Sequence, residues 1–216
     1  MFERVKYKRY AKSQLKGRML VPAGATLICL VIFALIDFEF TENPAVKICI
    51  ILIKIAVSGI LAIAFSLLFL SLYQSAEKPT FMRFVEGFSL FAKGIFIAFW
   101  SSLWIFLWSL LLVIPGIVKA FSYSQTAFVI AENPSLSASK ALRLSKIITK
   151  GFKADLFFMC LSFLGWDILS LFSLGILQLW LIPYKMMSFT NAYKSMKAHA
   201  LRRGELSAAD FSAEYQ

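Results

Sequence analysis

Long stretches without a charged residue dominate this chain and restrict the folds that are open to it. About 20 apolar residues in a helix are needed to cross the hydrocarbon core of a bilayer, because each helical residue rises about 1.5 Å. The pattern predicts six such spans. They are 19–36, 55–76 with a start near residue 46, 95–118 with a break at Pro115-Gly116, 115–131 with Pro115 in its first turn, 156–171 and 175–190.

The composition agrees with a lipid environment. Hydrophobic residues make up 59% of the chain and charged residues 16%, whereas soluble domains carry about 25% charged residues. A soluble chain this apolar could not cover its core with polar groups. We therefore predict an all-α membrane protein with six transmembrane helices, folded as a single integral membrane domain over residues 1–216.

Basic residues are concentrated in the segments that alternate with pairs of spans. Segments 1–18, 77–93, 132–155 and 185–216 hold 20 of the 23 Lys and Arg residues, whereas segment 37–47 holds three acidic residues and one lysine. Lys and Arg collect in the cytoplasmic loops of membrane proteins. Both termini are therefore predicted to be cytoplasmic. The net charge of +11 then reflects topology, and no nucleic-acid partner is expected.

A Lys-Gly pair precedes three of the apolar stretches. The pairs are Lys16-Gly17, Lys93-Gly94 and Lys150-Gly151. Because glycine lets the chain turn and lysine can extend its ammonium group to the lipid headgroups, each pair is interpreted as a hinge between a basic surface helix and a transmembrane hairpin. The alternative is that Lys and Gly are simply common wherever a loop enters a span.

The hinges divide the chain into three tandem units, each a basic interfacial helix followed by a transmembrane hairpin. The units are 1–76, 77–132 and 133–200, with a cytoplasmic tail at 200–216. In the third unit, Asn133 is the predicted N-cap of an amphipathic helix that could lie in the membrane interface. Its apolar face holds Ala141, Leu144 and Ile148. The residues predicted to contact anionic lipid headgroups are Lys16, Lys93, Arg143, Lys146 and Lys150.

Charged residues inside the predicted spans need a reason, because a charge at the helix centre costs at least about 2.5–3.5 kcal/mol. Lys54, Lys119 and Asp167 are all predicted in the outer half of the bilayer, where Asp167 could compensate one lysine and leave a positive pocket for an anion. Alternatively, an Asp–Lys pair fixes helix packing and the second lysine extends outward. Two glutamines at membrane depth either line a cavity or bond neighbouring helices. The predicted ligand-binding residues are Lys54, Lys119, Asp167, Gln125 and Gln178.

Two further patterns inside the spans are interpreted as structural. A tryptophan stripe runs through the middle of the third span, which favours core packing or an intramembrane contact face. A ridge of small residues on the second span favours close helix approach. The stripe is Trp100, Trp104 and Trp108, and the ridge is Ser58, Ala62 and Ser66.

Residues that would indicate an enzyme are scarce. The only histidine, His199, lies in a segment predicted to be cytoplasmic, and the three cysteines show no metal-binding spacing. Ser137 and Lys140 match S-x-x-K, a pattern that means little without its partner motifs. We therefore predict no catalytic residue, no metal, no cofactor and no enzymatic activity.

A set of short segments covers most of the chain and is densest in its second half. The set is 112–117 (LVIPGI), 131–134 (AENP), 161–166 (LSFLGW) and 182–184 (IPY), with Tyr123, Ala141-Leu142, Ser145-Lys146, Lys150-Gly151 and the early segment 14–17 (QLKG). In these residues the chain resembles an uncharacterised bacterial integral-membrane family, domain of unknown function 975. The chain is more distantly similar to the membrane domain of some glycerophosphodiester phosphodiesterases. The resemblance implies a multi-pass protein of the bacterial cytoplasmic (inner) membrane, and it supplies no catalytic residue.

Two functions follow as hypotheses. In the first, the protein binds or transports an anionic lipid-like or small anionic ligand, using Lys54, Lys119 and the basic interfacial helices. In the second, it is a non-catalytic adaptor that stabilises or regulates another membrane protein through the tryptophan stripe and the cytoplasmic helices. A cavity between the second, fourth and fifth spans would favour the first hypothesis, and a tightly packed bundle would favour the second.

Overall fold

The computed structural model describes residues 2–37, 43–75 and 79–211. Over these residues the chain is helical and has no strand, so the all-α prediction is confirmed there. Two 3₁₀ segments, Gly87–Leu90 and Ala208–Phe211, accompany the α-helices. The α-helices are α1 Arg4–Leu15, α2 Leu20–Asp37, α3 Pro44–Gln74, α4 Met82–Glu86, α5 Phe91–Leu111, α6 Val113–Tyr123, α7 Thr126–Glu132, α8 Ala138–Ile148, α9 Lys153–Phe172 and α10 Gln178–Arg202.

Five helical stretches among the described residues are long and apolar enough to cross a membrane. They are Leu20–Asp37, Pro44–Gln74, Met82–Leu111, Val113–Glu132 and Lys153–Phe172. The sixth predicted span lies in α10, which is not one of the five because its second half is rich in polar and basic residues. The predicted early start of the second span is confirmed by α3, whereas its predicted end at residue 76 lies outside the described residues.

The hinge predicted at Lys93-Gly94 is wrong. The chain stays helical from Met82 to Leu111, and Gly94 instead permits close packing of α5 on α3. A Cβ atom built on Gly59 of α3 would lie 2.1 Å from the Gly94 carbonyl oxygen. Since no side chain fits there, glycine is required at this crossing for helix contact and not for a turn.

The other two Lys-Gly pairs are turns, as predicted. Gly17 has a φ of 75° and Gly151 has a φ of 82°, both in the left-handed region that favours glycine. Gly17 lies between α1 and α2, and Gly151 between α8 and α9.

The α8 helix begins later than predicted. Asn133 follows the last residue of α7, and the N-cap of α8 is Ser137, whose Oγ accepts a hydrogen bond from the Lys140 N–H at 3.3 Å. The two residues of the S-x-x-K match thus form a helix cap. The apolar face of α8 packs against the protein and not lipid, since Leu144 and Ile148 are fully buried.

The four basic segments meet at one end of the molecule. Tyr7 of segment 1–18 donates a hydrogen bond to Ser195 of segment 185–216 (2.8 Å). Lys93 of segment 77–93 donates to the Leu136 carbonyl of segment 132–155 (2.8 Å), and Lys150 of that segment forms an ion pair with Glu205 (3.2 Å). The Arg18 guanidinium donates to the Ser75 carbonyl, directly after α3 (2.7 Å). The buried residues of α3 lie from Gly59 onward, toward this same end. The hydrophobic core therefore lies near the basic end, and the first turns of α3 are exposed.

The tryptophan stripe is not in the core, which leaves the alternative of a contact face, and the ridge of small residues faces a cavity instead of a neighbouring helix. Trp100 and Trp104 are 41% and 37% exposed, so neither is a core residue. Their indoles contact each other edge to face, with ring centroids 6.1 Å apart. The ridge residues line a cavity of about 450 Å³, and the close approach of α3 to α5 uses Gly59 instead.

Candidate functional site

The three charged residues predicted to form a pocket have separate partners. Lys54 forms an ion pair with Asp37, and Asp167 forms one with Lys185. The Lys119 ammonium lies 4.9 Å from the centroid of the Trp108 ring. The prediction that Asp167 compensates Lys54 or Lys119 is therefore wrong, because α9 and α10 are adjacent and bring Lys185 to it.

The ion pair with Asp37 also gives Lys54 a different position along the helices from the predicted one. Asp37 is the last residue of α2, so its contact with Lys54 places the ammonium group level with the end of that helix. The sequence predicts Lys54 within the outer half of the bilayer, because the preceding residues of α3 are apolar. Those turns extend past the end of α2 and are exposed, as Ile48 and Ile51 show.

The two predicted glutamines lie in different places. Gln178 is the first residue of α10, and its amide nitrogen donates to the Ser170 hydroxyl of α9 at 2.7 Å. This contact closes the turn between the two helices. Gln125 lies at the break between α6 and α7, where it is 1% exposed and lines the cavity that also contains the ridge residues.

Of the residues predicted to contact headgroups, three have exposed side chains without an ion pair among the described residues: Lys16, Arg143 and Lys146. Lys150 forms an ion pair with Glu205 at 3.2 Å. Lys93 donates to the carbonyl oxygens of Pro134 and Leu136 at 2.5 and 2.8 Å. Lys93 therefore has a structural role, because it holds the α7–α8 connection.

A groove between α1, α9 and α10 combines basic and apolar walls. Its volume is about 580 Å³. Two lysines, Lys12 and Lys16, lie one helical turn apart on its α1 side, and neither forms an ion pair among the described residues. The remaining lining residues are apolar or aromatic: Leu15, Met19, Trp166, Leu177, Trp180, Leu181 and Tyr184.

The sequence of α1 explains how this groove is built. Tyr7, Ala11 and Leu15 recur at helical spacing and are buried against the bundle. Because residues four apart share a helix face, Lys12 and Lys16 project together beside that buried stripe. After the turn at Gly17 the chain passes through Met19, which lines the groove, and enters α2.

Cations of α1 also hold this helix against α9. The Lys8 ammonium donates to the Ser162 carbonyl at 3.2 Å and lies 3.9 Å from the Phe163 ring centroid. The Arg4 guanidinium lies 5.5 Å from the Phe158 ring centroid. Burial lowers the pKa of Lys8, and repulsion by Arg4 lowers it further. These cations stabilise the wall of the groove, and Lys12 and Lys16 remain available to a ligand.

An ionic cluster centred on Glu132 was not predicted. One carboxylate oxygen accepts from Lys194 at 2.6 Å, and the other accepts from Lys197 at 2.7 Å and from the Tyr193 hydroxyl at 2.6 Å. The Glu132 side chain is 16% exposed. The sequence does contain a signal for this cluster. Glu132 is a lone acid at the end of an apolar stretch, and Lys194 and Lys197 lie three residues apart in α10. The cluster joins α7 to α10.

The fold places this chain among all-helical proteins of the membrane type, with five apolar helices of spanning length in the described residues. Residues 110–200, from the end of α5 through most of α10, match the family model of a protein of unknown function, DUF975. The predicted resemblance is therefore confirmed over this part of the chain. The chain matches none of the curated proteins or solved structures. The similarity to the membrane domain of glycerophosphodiester phosphodiesterases stays a prediction.

Proposed function

We propose that this chain is a multi-pass membrane protein that binds an anionic lipid in the groove between α1, α9 and α10. The observation that supports this most directly is the pairing of two uncompensated lysines with a wall of tryptophan and aliphatic side chains. An anionic headgroup would contact Lys12 and Lys16. The acyl chains would lie along Trp166, Trp180 and Leu181.

The chemistry of the groove favours an amphiphile over a small anion. Basic pockets beside membrane helices attract anionic headgroups, with about 1 kcal/mol for each Lys or Arg near the surface. Tryptophan is enriched where headgroups meet acyl chains. Trp166 and Trp180 are 53% and 51% exposed, so both offer their rings to a bound chain. A small hydrophilic anion would leave this apolar wall unused.

The proposed topology has α10 as a sixth span and both termini on the cytoplasmic side. Its 25 residues would extend about 37 Å at 1.5 Å per residue. The ion pair with Asp167 compensates Lys185, the charged residue of α10 that falls within the predicted span 175–190. The contacts among the four basic segments support a common side for them. Accordingly, the lysines of the groove would face the cytoplasmic leaflet, in what we propose is the cytoplasmic membrane of a bacterium.

Native mass spectrometry of the purified full chain tests the proposal. The probe is phosphatidylglycerol added in mild detergent, with phosphatidylcholine of the same chains as the neutral comparison. Replacing two surface cations should cost about 2 kcal/mol, or about thirtyfold in affinity. We expect Lys12→Gln/Lys16→Gln to lose preferential phosphatidylglycerol binding by about this factor.

The matched control removes the same charge from the same helix outside the groove. Lys6 and Arg9 are exposed residues of α1 that do not line the groove. Lys6→Gln/Arg9→Gln should change the preference for phosphatidylglycerol by less than about threefold, because only long-range attraction is lost. Equal losses in the two double variants would contradict a specific site and indicate general electrostatic attraction.

A second candidate function, a non-catalytic adaptor for another membrane protein, is favoured by one observation. Trp100 and Trp104 are exposed side by side on α5, which has only Gly94 and Ile97 buried. Aromatic side chains are enriched at protein interfaces. If this face binds a partner, one membrane protein should co-purify in near-stoichiometric amount, and Trp100→Ala/Trp104→Ala should release it. Retention of that partner by the double variant would contradict the adaptor function.

A further inference from the structure

A second cavity, partly open to the surface, lies between helices of the bundle and is separate from the groove. Its volume is about 450 Å³, within the range of small-molecule sites. Helices α2, α3, α9 and α10 and the α6–α7 break surround it. Most of its lining is apolar, with Phe33, Phe65, Phe128, Met186 and Phe189 among the larger side chains.

The serine hydroxyl groups of the cavity wall have no free proton, and the Gln125 amide has an unpaired oxygen. The hydroxyl groups of Ser58, Ser66 and Ser124 donate to carbonyl oxygens of their own helices, at 2.8, 2.7 and 2.8 Å. The Gln125 amide nitrogen donates to the Ser124 hydroxyl oxygen at 2.9 Å. The remaining polar atom of Gln125, Oε1, is buried and has no hydrogen-bond partner among the described residues.

The orientation of the Gln125 amide follows from its neighbour. The Ser124 proton is used on the Phe121 carbonyl, so the Ser124 oxygen can only accept from Gln125. The atom that contacts it must therefore be the amide nitrogen, which leaves Oε1 as the free acceptor. A buried acceptor without a partner costs about 1–3 kcal/mol, so a donor that reaches it gains that free energy.

The break between α6 and α7 holds Gln125 in place. The backbone N–H of Gln125 donates to the Ser145 hydroxyl oxygen at 3.2 Å, and that hydroxyl donates to the Ser122 carbonyl at 2.8 Å. Ser145 lies on α8 and is fully buried. This buried serine ties the break to α8, so the side chain of Gln125 has a fixed origin at the cavity wall.

We infer that this cavity binds a neutral lipid alcohol, a molecule with a long apolar chain and a terminal hydroxyl group that donates to Gln125 Oε1. No charged residue lines the cavity among the described residues, which disfavours an ion. Ser58 and Cys160 are exposed at its rim and Gln125 is buried. A chain alcohol would enter from the lipid side with its hydroxyl group first. This inference does not depend on the anionic-lipid groove.

Paired photoaffinity probes test it on the purified full chain in mild detergent. One probe is a diazirine-bearing hexadecanol, and the other is the same chain without the hydroxyl group. We expect saturable labelling of cavity-lining peptides, with affinity for the alcohol about five- to tenfold higher, as one net hydrogen bond supplies. Equal affinity of the two probes would overturn the inference, as would labelling confined to the outer surface.

Two variants assign the effect to the cavity. Gln125→Leu removes the acceptor, so the preference for the alcohol should vanish while the alkane probe still binds; a preference that persists would overturn the assignment. Ala62→Phe fills the cavity from α3 and should reduce labelling by both probes at least about fivefold. Unchanged labelling in Ala62→Phe would show that the probes bind elsewhere, which also contradicts the inference.

A native cysteine gives a readout that does not rely on photochemistry. In Cys29→Ser/Cys49→Ser, Cys160 is the only thiol, and it lines the cavity. Hexadecanol should slow modification of Cys160 by N-ethylmaleimide about fivefold, because a bound chain covers the thiol. At the same concentration of hexadecanol, Gln125→Leu should remove most of this protection. If hexadecanol protects Cys160 equally with and without Gln125, the hydrogen bond to Oε1 is disproved.

Discussion

Replacing Glu132 by glutamine tests how strongly charge holds α7 and α10 together. The substitution keeps the size of the side chain and removes the negative charge that faces Lys194 and Lys197. These lysine side chains are only 18% and 16% exposed. Removing one partner of a buried ion pair leaves an uncompensated charge and costs about 3–5 kcal/mol. Since glutamine can still accept a hydrogen bond from Tyr193, we expect about 3 kcal/mol.

The assay is the free energy of unfolding, from titration with a denaturing detergent and circular dichroism. Glu205→Gln is the matched control, because Glu205 also faces two cations, Lys150 at 3.2 Å and Arg203 at 3.1 Å. Its partner Lys150 is 70% exposed. Exposed ion pairs contribute about 0–1 kcal/mol, so the control should lose less than about 1 kcal/mol.

A triple variant identifies the cause of the loss. In Glu132→Gln/Lys194→Met/Lys197→Met no buried charge is left unpaired, so stability should recover relative to Glu132→Gln alone. The reasoning is refuted if the triple variant is less stable than Glu132→Gln. It is also refuted if Glu132→Gln costs no more than Glu205→Gln.

Other substitutions test the corrected roles of individual residues. Gly94→Ala should destabilise the fold by about 1–3 kcal/mol, because its Cβ would lie 2.9 Å from the backbone of α3. Gly165→Ala is the control: a Cβ there meets nothing within 4 Å, so this variant should be neutral or stabilised by up to about 1 kcal/mol. Thermal unfolding of the two variants measures the difference. Ser137→Ala should cost about 1 kcal/mol by removing the N-cap of α8, and an unchanged melting temperature would contradict this. Lys54→Met and Lys119→Met should leave the retention of phosphatidylglycerol unchanged in native mass spectrometry, because neither residue lines the groove; a loss in either variant would restore the pocket predicted from the sequence.

The parts of the fold that could be predicted from the sequence depend on local signals. The length of the stretches without a charged residue predicted α2, α3 and α5, and the apolar residues from about residue 46 onward predicted the early start of α3. Gly17 and Gly151 were predicted as turns because a basic helix ends at each of them. The gathering of the basic segments at one end agrees with their predicted common side, which itself stays a prediction.

The wrong predictions concern contacts between residues that are distant in sequence. Gly94 has the same local context as the two turn glycines, and only the approach of Gly59 gives it a different role. Asp167 had several lysines as possible partners, and the antiparallel packing of α9 on α10 selects Lys185. The groove was missed because Lys12 and Trp180 are far apart in the chain, and α1 must pack on α10 before they face one ligand.

The most direct test of the anionic-lipid groove measures lipid contact at Trp180. In a variant with Trp180 as the only tryptophan and phenylalanine at the other four positions, quenching by phospholipids with brominated chains reports the lipid bound beside it. We expect brominated phosphatidylglycerol to quench at a lower mole fraction than brominated phosphatidylcholine, and Lys12→Gln/Lys16→Gln to abolish the difference. Identical quenching curves for the two lipids in the parent protein would contradict the proposed groove.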